Sequence, residues 1–176
     1  MPSKEIMNAD EMSRTLNRIV YEILENVRDT SEICLVGIRR GGAHLADRLC
    51  EIFKSEGKSG ISVGYLDITL YRDDLTSIAD YPVLQGTEIS FDVNGKHIIL
   101  VDDVIYTGRT TRAAMDALID LGRPKKISLA VFIDRGHREL PVQPDFTGKK
   151  VPTARDEIIE VSLKEQTGND CVNILN

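Results

Sequence analysis

The chain has 176 residues, 41% of them hydrophobic, and a net charge of −6. That composition suits one domain with its own core, and the acidic balance excludes a protein whose main task is coating nucleic acid. No apolar run reaches the length of a membrane span, and the opening Met1-Pro-Ser-Lys-Glu has no signal-peptide hydrophobic core. The cysteines, Cys34, Cys50 and Cys171, lie far apart without metal-ligand spacing, which argues for a reducing cytoplasm.

In chain order, residues 8–27 read as a helix. Asn8 caps it and Glu11 completes a capping-box-like pair, while Met12, Leu16, Ile19, Ile23 and Val27 form the apolar stripe. Arg14, Arg18, Glu22 and Glu25 lie largely off that stripe, as a solvated face would. Residues 33–38 form a continuous apolar strand that runs into Gly37-Ile38-Arg39-Arg40-Gly41-Gly42. A helix over 43–53 follows, with Leu45, Leu49 and Phe53 on one side. Strand, glycine-and-arginine loop, helix is an anion-site architecture, although an ordinary surface turn has the same composition. The glycine spacing is neither that of a Walker loop nor that of a dinucleotide fingerprint.

Residues 61–71 read as a long strand. The polar stretch 72–87 that follows contains Pro82 and Gly86; a loop of that length is expected to be a mobile lid that folds over a site and shields it from water. Arg72 at its base either faces the site or pairs with Asp73 or Asp74. An Asn94-Gly95 turn leads into an apolar β-branched strand over 97–101. Ala114, Leu118 and Leu121, widened by Met115 and Ile119, mark a helix over 111–121 that Gly122 and Pro124 stop. Between strand and helix lie Asp102, Asp103, Thr107, Gly108, Arg109 and Thr110.

That last order has a chemical use. Unpaired N–H groups at a helix start hold a phosphate, and the threonine hydroxyls add donors. Gly108 lets the backbone approach the anion. The two acids would repel a phosphate but are well placed to accept hydrogen bonds from two ribose hydroxyls at the carboxyl end of a strand. The bland alternative is a structural turn with a capping aspartate. Residues 127–133 form another apolar strand, followed by Asp134-Arg135-Gly136-His137-Arg138-Glu139-Leu140-Pro141 and a strand region over 157–163, with Ile174 in the tail. The predicted fold is α/β: a mostly parallel central sheet flanked by helices, one domain over 1–176, with a small cap at about 134–156.

Residues 101–110 resemble the signature of the type I phosphoribosyltransferases, which use phosphoribosyl pyrophosphate (PRPP). The wider set, Asp67-Ile-Thr-Leu-Tyr-Arg-Asp-Asp-Leu75, Gly122-Arg-Pro124 and the Asp134 to Pro141 segment, is similar to the pyrimidine-operon attenuation regulators that also act as uracil phosphoribosyltransferases. The resemblance implies that Val101, Asp102, Asp103, Val104, Ile105, Tyr106, Thr107, Gly108, Arg109 and Thr110 bind PRPP or UMP. It implies a pyrophosphate loop of Arg39, Arg40, Gly41 and Gly42, often with a cis peptide, assisted by Arg72. It places the base against a cap formed by Asp134, Arg135, Gly136, His137 and Arg138. Catalysis would rest on Asp102, Asp103 and Arg72, with Mg²⁺ held through pyrophosphate and ribose and no dedicated protein cage. UMP-dependent binding of leader mRNA is implied for regulatory members, with Arg18, Lys149, Lys150 and Arg155 as candidate contacts, and so is assembly into a homodimer or larger.

His137 is either a general base or a hydrogen-bonding group; His44 and His97 form no constellation and read as structural or surface residues. The chain departs from many regulatory members at three places. Gly41 stands where an arginine is expected, Gln143 where a basic residue is common, and Glu22 adds an acid near Arg18. Two readings therefore stand beside the bifunctional one: an RNA-binding UMP sensor with secondary catalysis, and a plain phosphoribosyltransferase without RNA control.

Overall fold

The structure, a computed structural model, describes residues 3–73 and 86–176. Its elements run β1 (Ser3–Met7), α1 (Ala9–Asn26), β2 (Ile33–Ile38), α2 (Gly41–Ser55), β3 (Ser62–Leu66), β4 (His97–Ile105), α3 (Arg109–Leu121), β5 (Lys126–Asp134), β6 (Phe146–Lys150), β7 (Ile158–Ser162), α4 (Lys164–Thr167, a single turn) and β8 (Cys171–Leu175). Five strands form a parallel sheet in the order β3-β2-β4-β5-β6. The remaining three, β1-β8-β7, form a small antiparallel sheet.

The central strands read as unbroken apolar runs because both faces are covered. Leu35, Ile99, Val101, Ala130 and Phe132 point into one core layer under α1 and α2. Their strand neighbours Cys34, Val36, Ile98, Leu100, Leu129 and Val131 point into the other, against Ala113, Ala114, Ala117 and Leu118 of α3. The switch of face at each residue is the period-2 geometry of a strand. On α1 the capping box forms: Asn8 Oδ1 accepts the Glu11 N–H at 3.0 Å, and Glu11 Oε2 accepts the Asn8 N–H at 2.9 Å. All three cysteines are buried and free, and no helix among the described residues is long and apolar enough to cross a membrane.

Several expectations need adjusting. The strand predicted over 61–71 stops at Leu66, because Asp67 Oδ1 captures the N–H and hydroxyl of Thr69 and turns the chain into a short 3₁₀ segment, Thr69–Tyr71. The strand predicted over 97–101 continues to Ile105, so both acids stand within β4. Residues 146–150, expected within the cap, are the fifth strand of the central sheet, paired with β5. Gly148 makes this possible: a Cβ there would press on the Phe132 carbonyl and lie 2.8 Å from Thr15 Cγ2 of α1. The second sheet instead joins the two ends of the described chain. Of the expected lid, residues 74–85 lie outside the described residues.

Candidate active site

Two helices begin at the carboxyl ends of neighbouring parallel strands, α2 after β2 and α3 after β4, the position where open α/β sheets bind ligands. Unlike α1, neither has a side-chain cap. Apart from the Ala43 N–H, which donates to the Arg40 carbonyl at 3.2 Å, and the Arg109 N–H, their first-turn N–H groups are left for something else to satisfy. Gly108, at φ 92°, turns the chain into α3 through the left-handed region, and Thr107 Oγ1 accepts the Arg109 N–H at a long 3.3 Å. At α2 the peptide between Arg39 and Arg40 is cis.

The α2 start is packed without slack. A Cβ on Gly42 would press on the Val101 carbonyl, and one on Gly41 would press on Asp103 Oδ2 and sit 2.8 Å from its Cγ. The arginine expected at position 41 therefore has no room while Asp103 lies where it does. The helix and the acidic pair are in direct contact, a juxtaposition that sequence spacing does not reveal.

A cavity of about 880 Å³ opens between these elements. Arg39, Arg40 and Gly41 form one wall, with Asp102, Asp103 and Thr110 on the β4–α3 side. A second cavity of about 300 Å³ adjoins it, lined by residues 104–111 and Asp73. Arg72, Asp102, Val104 and Thr110 border both, so Asp102 stands at the junction. Asp102 is buried, and burial first, then the neighbouring Asp103 carboxylate, pushes its carboxyl well above the usual aspartate range. Its Oδ1 accepts the Asp103 N–H at 2.9 Å, and Asp103 Oδ1 accepts the Val104 N–H at 2.8 Å.

The other predicted site residues divide. Val101 belongs to the core, and Gly42 is buried beneath the first turn of α2. Arg39 is already engaged: it donates to the Gly86 carbonyl at 3.0 Å, pairs with Glu88 at 2.8 Å and stacks 5.1 Å over the Tyr65 ring. Arg109 pairs with Asp73 at 2.6 Å and Glu139 at 3.0 Å. Asp134, Arg135, Gly136 and His137 line a separate cavity of about 370 Å³ with Lys150 and Thr153. Their side chains brace the loop between β4 and α3. Arg135 lies 4.0 Å over the Tyr106 ring and donates to Thr153 and Ala154. His137 meets the same ring edge-on, and Arg138 donates to the Tyr106 and Val142 carbonyls and pairs with Asp134 at 2.8 Å. His137 Nε2 lies 2.6 Å from the Thr153 carbonyl. A carbonyl only accepts, so this nitrogen carries a proton and cannot take one up.

Arg18 and Lys149 meet in a shallow groove with Arg14 and Glu11. Arg18 there donates to the Gly148 carbonyl and pairs with Glu22, while Lys149 donates to the Ile6 carbonyl. Lys150, next along β6, faces the His137 cavity instead. Sequence reasoning missed His44 and Gln166 as cavity residues, along with Ile38 at the end of β2 and Asp67, Ile68 and Thr69 after β3. His44 lies one turn into α2, and Gln166 arrives from α4; only the 3.6-residue period from Gly41 hints at the first. His97 is structural, hydrogen-bonded to Ser128 at 2.9 Å in a buried position.

The family profile of the phosphoribosyl transferase domain matches residues 2–166 of the chain. A relative from Thermus aquaticus, named Bifunctional protein PyrR, is 56% identical over 171 residues, which are 97% of this chain and 94% of the relative. A protein of the same name from Acetivibrio thermocellus is 53% identical over 97% of this chain and 92% of its own. Among solved structures, a hypoxanthine phosphoribosyltransferase from Trypanosoma cruzi superposes with a TM-score of 0.77 at 15% identity, covering 98% of this chain and 95% of that one, a likeness of fold.

Proposed function

The chain belongs to the phosphoribosyl transferase domain family, and on that premise we propose that it converts uracil and PRPP to UMP and pyrophosphate and uses the same nucleotide site to control a pyrimidine-operon leader RNA. The observation that carries this reading is the pair of uncapped helix starts flanking Asp102 and Asp103, one at each of two adjoining cavities. That arrangement suits a ligand with a diphosphate at one end, a ribose in the middle and a monophosphate at the other.

In the proposed reaction the 5-phosphate sits on the N-terminus of α3 with Thr107 and Thr110. The ribose hydroxyls donate to Asp102 and Asp103. The diphosphate lies on the N-terminus of α2, with Arg40 and Arg72 offsetting its charge. A uracil nitrogen attacks C1 of the ribose and gives up its proton to the departing pyrophosphate, the bond from C1 to the diphosphate oxygen breaks, and the pair of acids stabilises the positive charge that builds on the sugar. Among the described residues no group of three or more His, Cys, Asp or Glu side chains could hold a metal ion. The Asp102–Asp103 pair fits an ion bound mainly by ribose and pyrophosphate oxygens; Mg²⁺ there would neutralise charge on the leaving group.

For RNA, the groove carrying Arg14, Arg18 and Lys149 supplies the local positive charge that the overall balance lacks. Assembly into a homodimer or larger belongs to the same proposal.

The test is a titration of the purified protein with its own operon's leader transcript, with and without UMP, at two salt concentrations. A parallel reaction with uracil, PRPP and Mg²⁺ records pyrophosphate release. UMP-dependent binding that weakens with salt, together with turnover, is the expected result. Turnover without RNA binding would reduce the protein to an enzyme, and absence of turnover would refute the catalytic half.

A further inference from the structure

Resting on the phosphoribosyl-transfer reading, we propose that His44 and Gln166 are diphosphate-positioning residues on the wall of the main cavity. His44 lies on the wall of the main cavity beside Arg39 and Arg40. It is half-buried, and no hydrogen bond of its ring is found among the described residues. Gln166 reaches the same cavity from α4.

Their meeting is built into the fold. Arg48 lies four residues beyond His44, on the same face of α2. It pairs with Glu165 at 2.6 Å and with Asp170 at 2.7 Å, all three side chains being less than one-third exposed. The bidentate clamp continues through Arg48 Nε to Glu165 at 2.9 Å and Nη1 to Asp170 at 3.1 Å. It bolts α4, and with it the small sheet, onto the helix that starts at the arginine loop. One turn of that helix then separates the clamp from His44, and Gln166 directly follows Glu165.

The ligand chemistry follows from the surroundings. Both side chains carry N–H donors, and the charged residues of the loop that leads into α2 are Arg39 and Arg40. Of the three carboxylates that share the cavity, Asp67 accepts from Thr69 and Gly86, while Asp102 and Asp103 each accept the next N–H along β4 and are assigned to the ribose. Donors without acceptors beside a cationic loop select an anion, and the end of the cavity they serve is the diphosphate end.

The experiment measures three affinities on wild type, His44→Ala, Gln166→Ala and Gln166→Glu: inorganic pyrophosphate by calorimetry, PRPP from KM, and UMP by calorimetry. Loss of one hydrogen bond to a charged group corresponds to about tenfold or more in affinity. Each alanine variant is therefore expected to weaken pyrophosphate and PRPP about tenfold while leaving UMP unchanged, with Gln166→Glu weaker still. His44→Asn, which keeps a donor, should recover part of the loss. A merely structural role would move UMP binding as much as pyrophosphate binding, and that result would overturn the proposal. Wild-type protein that binds pyrophosphate and turns over, beside alanine variants that bind it equally well, would overturn this inference alone. Wild-type protein that does neither would overturn the phosphoribosyl-transfer reading and this proposal with it.

Discussion

Gly41→Ala separates function from stability at the point where α2 meets the acids. A helix interior gains roughly 0.5–1 kcal/mol from such a change, and Gly41, as the first residue of α2, would gain less. Here the new Cβ would lie against Asp103 Oδ2, 2.8 Å from Cγ and 3.1 Å from Asp103 Cβ. The carboxylate must swing away and give up its 2.8 Å hydrogen bond from the Val104 N–H. A charged hydrogen bond is worth about 1.5–3 kcal/mol, but the half-exposed Asp103 recovers part of that from water. The net loss of stability should be about 1 kcal/mol, or roughly 2–4 °C in Tm for a chain of this size. With Asp103 turned from the ribose, kcat/KM for PRPP should fall about 10- to 100-fold. Gly42→Ala is the control, because its Cβ would press on the Val101 carbonyl and lie 3.0 Å from the carbonyl carbon. Backbone cannot swing aside, so this variant should lose about 3 kcal/mol. Thermal unfolding and steady-state kinetics on both variants decide the matter. Wild-type kcat/KM in Gly41→Ala, or equal destabilisation of the two, would refute the reasoning.

Three further outcomes are expected. Asp102 has its carboxyl raised by burial and by Asp103, so its ionisation opposes folding. That penalty is absent below its ordinary value of 3.8 and complete above the raised folded value. Asp102→Asn should therefore raise Tm at neutral pH while lowering turnover; a lower Tm would contradict the assignment. In the clamp, burial works against ionised Asp170, but hydrogen bonds from Arg48 and the Lys164 N–H outweigh it and lower its carboxyl; Arg48 hydrogen bonding lowers Glu165 likewise. Their stabilisation is present above the ordinary values of 4.5 and 3.8 and is lost as pH falls through the lowered folded values. Arg48→Met should flatten the fall of Tm with acid in that window, and an unchanged profile would mean the clamp contributes nothing. Arg18→Ala with Lys149→Ala should weaken leader RNA and reduce the salt slope by about one for each phosphate no longer neutralised; an unchanged slope would move the RNA surface elsewhere.

Local chemistry was legible in the sequence where it is self-contained. Asn8 and Glu11 announce the start of α1, and the alternation of glycine, arginine and threonine with apolar runs locates the loops that lead into α2 and α3. What escaped depends on partners distant along the chain. Strand β6 has little apolar signal of its own and is identified by close packing of Gly148 against Phe132 and Thr15. The end of β3 is set by Asp67, whose second oxygen accepts the Gly86 N–H at 3.2 Å. His44 and Gln166 share a cavity although α2 and α4 stand far apart in sequence, and the arginines of the 134–138 segment are engaged with Tyr106.

The small sheet has a consequence for how the chain assembles. Its central strand is β8, with β1 on one side and β7 on the other, and Ser3 pairs with Leu175. Contacts of such long sequence separation form slowly. During synthesis from the N-terminus, β1 leaves the ribosome early and stays an unpaired edge until the final strand emerges. Asp170, immediately before β8, completes the clamp at the same late moment. A ribosome-bound chain can thus build the parallel sheet while the wall that carries Gln166 is still open, so competence for the diphosphate should be acquired only once Asp170 and β8 have emerged. The exposed edge of β1 is meanwhile the segment that a neighbouring nascent chain is best able to capture.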